Sequence, residues 1–315
     1  PGEVVAPLVG RAAAFRQLVG RFQQARQRRP QAMLLLGEAG IGKTRLASEF
    51  VAWAEAQGAE VLRGQAFELG GRLPYQPLVE ALRERLDAEN APQDLLEDLW
   101  LAELTRLLPE LRLRFPDLPA PTQDELSGKL RLFEAVARLL DALAERAPVV
   151  LLLDDLHWID GASLDLLRYL GHAWKSQGSR VLLLLTMRSE GVELTPELAA
   201  QLLDLGRDLP LSQLPLSPLG QAETVELLAA LATEEGRPSP VRASSAPERP
   251  LVALGNIRFA RTEGLPLYLL ETLKLLRERQ WLLPYLTAEG VVRLAPTEEL
   301  VATLARPEFR HELLP

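Results

Sequence analysis

The sequence predicts an α/β fold in which a mostly parallel β-sheet is covered by helices on both faces. Three observations predict it. Short, wholly apolar runs at 149–153 and 181–185 are typical of strands buried on both faces. Longer amphipathic stretches such as 126–147 alternate with them. A glycine-rich segment joins a further apolar run, 32–36, to a helical stretch, 44–57.

The first half of the chain predicts an opening strand–loop–helix unit and then a group of helices. Gly58 is a natural end for the first helix, and 60–63 predicts a second short strand. Helices are predicted over 78–86, 94–108 and 126–147. The run 109–121 holds four prolines, so a loop is predicted there.

The second half continues the alternation. After the strand at 149–153 we expect a helix over 163–174, the strand at 181–185 and a weaker strand within 209–214. Pro218 suits the first turn of a helix that extends through residue 232. Residues 251–279 are again predicted to be helical, with an interruption at Gly264-Leu265-Pro266.

The composition excludes several classes of protein. The chain has 315 residues, a net charge of −8 and a pI of about 5.2, so no overall positive field attracts nucleic acid. It has no cysteine, which excludes disulfides and thiolate metal sites. We find no apolar run of membrane-spanning length and no signal-peptide pattern. A cytoplasmic protein without a membrane partner is therefore expected.

Residues 37–44 read Gly-Glu-Ala-Gly-Ile-Gly-Lys-Thr, which matches the phosphate-binding pattern GxxxxGK[ST]. Glycines let successive N–H groups point at one phosphate chain, and a helix N-terminus follows. Lys43 supplies charge for the outer phosphates, and the Thr44 hydroxyl is a Mg²⁺ ligand. A glycine-rich turn that binds nothing is the alternative. The predicted nucleotide-binding residues of this segment are Gly37, Ala39, Gly40, Ile41, Gly42, Lys43, Thr44 and Arg45.

Two adjacent carboxylates, Asp154 and Asp155, end the apolar run 149–153. Unpaired charge beside a buried strand is costly, so this pair needs a reason. In a phosphate-loop enzyme the first carboxylate holds Mg²⁺ and the second orients or deprotonates the attacking water. Asp154 is therefore the predicted metal ligand and Asp155 the predicted base. Alternatively, the two aspartates begin a turn and cap the helix at Ser163.

Arg188 follows the next buried strand. Ligands in parallel sheets bind beyond the carboxyl ends of the strands, so an arginine there would reach the outer phosphate if its strand neighbours the loop strand. We predict that Arg188 senses the γ-phosphate. A surface ion pair is the alternative.

Taken together, the motifs resemble the STAND class of signal-transduction ATPases, within the broader AAA-like phosphate-loop proteins. The likeness is greatest to ATPase modules of bacterial LuxR-type and AfsR-type transcriptional regulators and of some nucleotide cyclases. It extends over roughly residues 7–276. The segments that carry it are Leu8-Val9-Gly10-Arg11, 37–44, Pro74-Tyr75-Gln76-Pro77, 151–160, Thr186-Met187-Arg188 and 264–271.

This resemblance implies further assignments. Val9, Gly10 and Arg11 would lie against the adenine and ribose, and Pro266 would close over the base from a helical lid. The bound cofactors would be ATP or ADP with Mg²⁺. Independently of the resemblance, Gly264-Leu265-Pro266 is a plausible helix start with proline in its first turn.

The resemblance also implies a domain organisation. We expect a nucleotide-binding core with a helical insertion over 1–215, a helical lid over 216–280 and a partial winged-helix-like segment over 281–315. Residues 236–250, rich in proline and serine, are expected to form a flexible linker or loop. One departure from the family pattern is Ala12, where such proteins usually carry glutamate.

The leading functional hypothesis is a slow regulatory ATPase whose ADP form is closed and whose ATP form opens and oligomerises in response to an inducer or regulatory partner. DNA would be reached only through a domain absent from this chain. The alternatives are a scaffold that retains ADP without turnover, an AAA-type DNA-associated ATPase and a small-molecule kinase.

Overall fold

The protein is described here from a computed structural model. It describes residues 8–68, 74–89, 94–189, 196–231, 233–234, 264–286 and 292–304. The chain forms two compact units. The larger unit comprises Ala14–Ala39 and Lys43–Leu216, and the smaller unit comprises Pro1–Ala13, Gly40–Gly42 and Ser217–Pro315.

The larger unit contains a five-stranded sheet in which every described pairing is parallel. Its strands are β1 (Gln31–Gly37), β2 (Glu60–Gln65), β3 (Val149–Asp154), β4 (Val181–Arg188) and β5 (Leu211–Pro215). Their order across the sheet is β2-β3-β4-β1-β5. Strand β4 therefore separates β1 from β3. These findings confirm the predicted parallel α/β fold, and each predicted strand is present.

Helices connect the strands. They are α1 (Ala12–Arg26), α2 (Lys43–Ala56), α3 (Gln76–Ala88), α4 (Asp98–Leu104), α5 (Glu110–Arg114), α6 (Glu125–Arg146), α7 (Gly161–Gln177) and α8 (Pro196–Asp208), with a short 3₁₀ turn at Leu156–Trp158. Asp124 and Asp160 cap α6 and α7 by accepting the Ser127 and Ser163 N–H groups at 2.8 and 2.9 Å. These caps satisfy N–H groups that a helix cannot pair internally.

Four helices, α3 to α6, are inserted between β2 and β3. Helix α6 packs against α4 and α7, with Phe133, Val136 and Leu140 buried. The same buried cluster includes Trp174 of α7 and Leu183 of β4. The insertion and the sheet therefore share one core within the larger unit.

The described part of the smaller unit contains three helices and an antiparallel sheet. The helices are α9 (Gln221–Leu231), α10 (Pro266–Glu278) and α11 (Glu298–Leu304), and the strands are β6 (Thr233–Glu234), β7 (Leu282–Leu286) and β8 (Val292–Pro296), in the order β6-β8-β7. Its core brings together Val9, Leu219, Leu228, Leu269 and Leu300. The predicted linker at 236–250 and the predicted helix over 251–263 lie outside the described residues.

Two predicted boundaries were wrong. Helix α9 begins at Gln221 rather than at Pro218, because the Gly220 N–H donates to the Glu223 carboxylate at 2.7 Å and thereby starts the helix. The predicted loop 109–121 contains α5, which Pro109 precedes. Proline is compatible with a helix start because no intrahelical N–H is needed there.

Two further differences concern helix number and length. The predicted helix over 94–108 is regular only over Asp98–Leu104, and α8 was not predicted. Among the described residues, no helix is both long and apolar enough to cross a bilayer.

Gly64 provides a test of how closely α3 packs on β2. A Cβ atom at Gly64 would lie 1.8 Å from the Pro77 carbonyl oxygen, which is backbone and cannot move aside easily. We expect Gly64→Ala to lower the free energy of unfolding by about 1–3 kcal/mol, measured by urea denaturation.

Gly20→Ala is the matched control, because within the described part of the chain no atom beyond the neighbouring residues and the backbone of α1 itself lies within 4 Å of the added Cβ. Replacing a helical glycine there should instead stabilise the protein by about 0.5–1 kcal/mol. Equal effects of the two substitutions would contradict the close packing at Gly64.

Candidate functional site

The loop at 37–44 joins the end of β1 to the start of α2. Gly40 and Gly42 have φ values of 78° and 97°, in the left-handed region that favours glycine. Helix α2 begins at Lys43, so unpaired N–H groups of its first turn follow the loop directly. This is the local geometry in which a loop and a helix N-terminus together present N–H groups to an anion.

Lys43 is held within this loop. Its ammonium group donates to the carbonyl oxygens of Gly37 and Glu38, both at 2.8 Å. The residue is buried, with 7% of its surface exposed. Its charge is therefore fixed beside the loop backbone and does not extend into solvent.

Asp154 lies at the end of β3 between two hydroxyl groups. The Thr44 hydroxyl donates to its Oδ2 at 2.9 Å, and the Thr186 hydroxyl donates to its Oδ1. A hydroxyl and a carboxylate oxygen side by side form the kind of donor set that the hard cation Mg²⁺ prefers. Thr44 and Asp154 therefore fit the Mg²⁺ that the sequence predicts. Thr44, in the first turn of α2, contacts the carboxylate at the end of β3.

Asp155 adopts a left-handed backbone, with φ 56° and ψ 45°. Its N–H donates to the Thr186 hydroxyl at 3.0 Å, and its carboxylate accepts from the Gln65 amide at 3.2 Å. A left-handed conformation costs a non-glycine residue about 1–2 kcal/mol, so it persists where neighbours fix it. The hydrogen bonds from β2 and β4 supply that constraint and set the direction of the carboxylate.

His157 lies beside this carboxylate, with 3.9 Å between its Nδ1 and Asp155 Oδ1. Burial lowers the pKa of His157, and Asp155 opposes that shift. The ring contacts Trp158, with 5.0 Å between centroids, and neither ring nitrogen has a hydrogen-bond partner within the described part of the chain. His157 is therefore a neutral, buried side chain.

Arg188 ends β4 and is paired in register with Gly37 at the end of β1. The strand is therefore adjacent to the loop strand, which is the condition on which its predicted role depended. The side chain is exposed. Among the described residues, Arg188 forms no ion pair. These residues therefore do not support the alternative that Arg188 forms a surface ion pair.

Arg11 lies in the smaller unit, and its guanidinium donates hydrogen bonds to two backbone carbonyl oxygens. It donates to Ser217 O at 2.7 Å and to Ile41 O at 3.0 Å. Burial lowers the pKa of Arg11, and the charge of Glu223 opposes the shift. Arg11 thus holds the tip of the loop, Gly40–Gly42, within this unit. Its neighbour Val9 lies in the apolar core.

The segment Gly264-Leu265-Pro266 starts α10, with Pro266 in the first turn. This confirms the helix-start interpretation. Gly264 has φ 80°, and an added Cβ would lie 2.0 Å from the Leu219 carbonyl oxygen, so only glycine fits. The next residue of α10, Leu267, donates its N–H to Gly40 O at 3.2 Å. The first turn of α10 and the loop tip are therefore in direct contact.

Sequence reasoning missed two residues of the site, Thr186 and Gln65. Thr186 is the one polar residue in the buried part of β4, 181–187, and this is a signal that the sequence contains. Gln65 is paired in register with Asp154 at the end of β2. Its role depends on strand order, which the sequence does not reveal.

A loop of this type between β1 and α2, with aspartates ending β3 in this strand order, defines a P-loop NTPase fold. The sequence matches the AAA ATPase domain family over residues 7–184, more than half of the chain, and the chain belongs to this family. Membership implies a nucleotide-binding domain.

The chain is also similar to three individual proteins. An uncharacterized protein of Rhizobium meliloti (strain 1021) is 25% identical over 245 residues, which cover 71% of this chain but 22% of that protein. The chain thus spans about a fifth of that relative. Cdc6p from Pyrobaculum aerophilum is 18% identical, with a TM-score of 0.54 over 89% of this chain and 65% of the other, and shares the fold. The Aeropyrum pernix Orc1 protein in complex with DNA is 20% identical over 89% of this chain and 63% of the other, at a TM-score of 0.47.

Thr186→Val tests whether the buried hydroxyl of Thr186 positions Asp154 and Asp155. The substitution keeps the shape of the side chain but removes a donor to Asp154 and an acceptor for the Asp155 N–H. We expect the free energy of unfolding to fall by about 1–3 kcal/mol. ATP turnover by the folded protein should fall at least about tenfold, because the carboxylates lose their fixed positions.

The control is Thr105→Val, which removes another buried hydroxyl, bonded to Ala102 O at 2.7 Å in the helical insertion. Its effect on stability should be similar, with turnover unchanged. Equal turnover in the two variants would show that Thr186 has only a structural role.

Proposed function

We propose that this chain is a nucleotide-controlled switch module of a signal-transduction ATPase, which binds ATP with Mg²⁺ and hydrolyses it slowly to ADP. The observation that carries the proposal is the 2.9 Å contact between Thr44 Oγ1 and Asp154 Oδ2. It brings the first helical turn after the phosphate loop to the carboxylate that ends β3. Such a pairing has no evident purpose in a turn that binds nothing.

The chain's own residues divide the binding work. The N–H groups of the loop and of the first turn of α2 would bind the phosphates, and the Lys43 ammonium would turn from its carbonyl partners to the outer phosphates. Thr44 and Asp154 would hold Mg²⁺, which when bound neutralises phosphate charge and orients the outer phosphates. Arg188, at the end of β4, would contact the γ-phosphate.

Hydrolysis needs a group that orients water and accepts its proton. Asp155 suits this role because its carboxylate is partly exposed and its direction is fixed by Gln65 and Thr186. The buried neutral His157 beside it keeps one flank of the carboxylate free of bulk water.

The switch itself would start at the tip of the loop. The Gly40 carbonyl accepts from the Leu267 N–H, and the Ile41 carbonyl accepts from the Arg11 guanidinium. A ligand that moves the loop tip therefore acts on Leu267 and Arg11 first. Pro266 precedes Leu267, and the family resemblance places it over the base. A nucleotide shifts such an equilibrium only by its differential affinity for the two states, and the γ-phosphate is where ATP and ADP differ.

We further propose that the module belongs to a transcriptional regulator of the cytoplasm. An inducer or regulatory partner would promote exchange of ADP for ATP, and the ATP form would oligomerise. DNA would be bound by a region outside this chain, because the net charge of −8 provides no basic surface overall. The partial winged-helix-like segment over 281–315 would connect the module to that region.

Lys43→Ala tests the nucleotide site. Loss of the ammonium should weaken Mg-ATP binding at least about a hundredfold, as measured by isothermal titration calorimetry, because the outer phosphates lose a charged donor. Lys175→Ala, which removes an exposed ammonium on α7, is the control and should bind as the unchanged protein does. Tight Mg-ATP binding by the Lys43 variant would refute the site.

Asp155→Asn tests turnover separately from binding. Asparagine tolerates the left-handed backbone but cannot accept the proton, so steady phosphate release should fall at least about a hundredfold with nucleotide affinity little changed. Phosphate release that is undiminished in this variant would remove Asp155 from the mechanism.

Mass spectrometry of nucleotide released from the denatured, purified protein separates the candidate functions. Bound ADP together with measurable phosphate release supports the switch. Bound ADP without any turnover supports a permanent scaffold. Salt-sensitive binding of duplex DNA by this chain would instead support a DNA-associated AAA ATPase.

A further inference from the structure

The helical insertion of the larger unit contains a cavity of about 720 Å³. It lies between α3, the segment after α4 and the first two turns of α6, and includes no residue of the phosphate loop or of the aspartate pair. Cavities that bind small molecules usually have volumes of about 300–1,000 Å³. The cavity is therefore large enough for a ligand of its own.

The lining of this cavity has an apolar part and a polar part. Val79, Leu107 and Leu132 provide the apolar part. Tyr75, Arg106 and Lys129 provide polar groups that line the same space. Mixed linings of this kind, apolar with a few placed polar groups, are typical of sites that orient an organic ligand.

Arg106 is held rigidly at the wall. Its Nε donates to Glu103 at 3.0 Å, and a second nitrogen donates to the Thr122 carbonyl. The guanidinium lies against Gly128, where an added Cβ would come within 2.8 Å of it. A glycine inside a helix is destabilising, so α6 is less stable at the position that leaves room for this group.

The Nη1 nitrogen of Arg106 has no hydrogen bond among the residues that the structure describes, and neither has the Tyr75 hydroxyl. Burial raises the pKa of Tyr75, so the hydroxyl remains a donor at neutral pH. The one carboxylate in the lining, Asp124, already caps α6 through the Ser127 N–H. Lys129 is paired with Asp165 at 2.9 Å. The two groups without a described partner are therefore hydrogen-bond donors, and one of them belongs to a guanidinium that also pairs with Glu103.

We propose that this cavity binds a small amphipathic monoanion, a molecule with an apolar body and one carboxylate group. The apolar body would contact Val79, Leu107 and Leu132. The carboxylate would accept from the free guanidinium nitrogen of Arg106 and from the Tyr75 hydroxyl. An arginine fixed by other bonds loses little freedom when it binds a carboxylate.

Tyr75 connects the cavity to the segment that follows the aspartate pair. This residue has a left-handed backbone, with φ 66°, and its N–H donates to Asp160, the cap of α7, at 3.4 Å. A second link runs through α3, where Glu80 accepts the Gln65 N–H at 2.9 Å and the Gln65 amide donates to Asp155. If the proposed ATPase function holds, the bound anion therefore modulates turnover.

Binding is tested with anilinonaphthalene sulfonate, a fluorescent probe with an aromatic body and a single negative charge. Titrations are done with excess Mg-ADP present, so that the phosphate loop does not compete for the probe. We expect one saturable site. Arg106→Gln should weaken probe binding at least about fivefold, since a charge-assisted hydrogen bond is lost.

Two controls make the result specific. Arg131→Gln removes a charge of the same kind from an exposed position on α6 outside the cavity and should leave binding unchanged. The neutral analogue phenylnaphthylamine should bind more weakly and should not respond to Arg106→Gln. In case Arg106→Gln does not fold, Tyr75→Phe removes only the hydroxyl and should also weaken probe binding. The proposal would be overturned if the folded variants bound the probe as tightly as the unchanged protein does, and if the neutral analogue bound as tightly as the charged probe.

Decanoate, an aliphatic carboxylate, tests the ligand class and the link. It should displace the probe from the unchanged protein and change the rate of phosphate release at least about twofold. Displacement with no change in that rate would refute the link to Asp155, whereas failure to displace the probe would refute a carboxylate ligand. The displacement result is independent of whether the protein hydrolyses ATP.

Discussion

The carboxylate of Asp154 is the group on which the geometry of the site depends. It stands at the end of a buried strand and is held between the hydroxyls of Thr44 and Thr186. One hydroxyl belongs to the helix that follows the phosphate loop, and the other to the strand that separates β3 from the loop strand. The charge is tolerated at the edge of an apolar sheet because hydroxyl groups of α2 and β4 donate hydrogen bonds to it.

This arrangement follows from the order of the strands. Because β4 lies between β1 and β3, Thr186 is positioned to bond both aspartates while Arg188 stands level with Gly37. Parallel register brings all these strand ends to one edge. The end of β1, the predicted metal ligand Asp154, the proposed base Asp155 and Arg188 therefore lie at one edge of the sheet without the help of a distant loop.

Much of this was predictable from the sequence, because the strongest signals are local. Apolar runs, the glycine pattern at 37–44 and the adjacent aspartates mark strands and their ends without any knowledge of neighbours. Gln65 was not predictable, since its place beside Asp154 depends on which strands pair. Helix α9 was misplaced because a glycine and Glu223 start it, and the proline upstream was the more conspicuous signal.

The left-handed backbone of Asp155 limits which acid can occupy that position. Aspartate and asparagine enter this conformation several-fold more readily than most residues, and longer or branched side chains do so rarely. A glutamate would have to bear the backbone strain as well as a longer, less fixed chain. In this protein the sharp turn after β3 therefore selects the shorter of the two acids, so the reach of the carboxylate is set by backbone geometry as much as by the chemistry required of it.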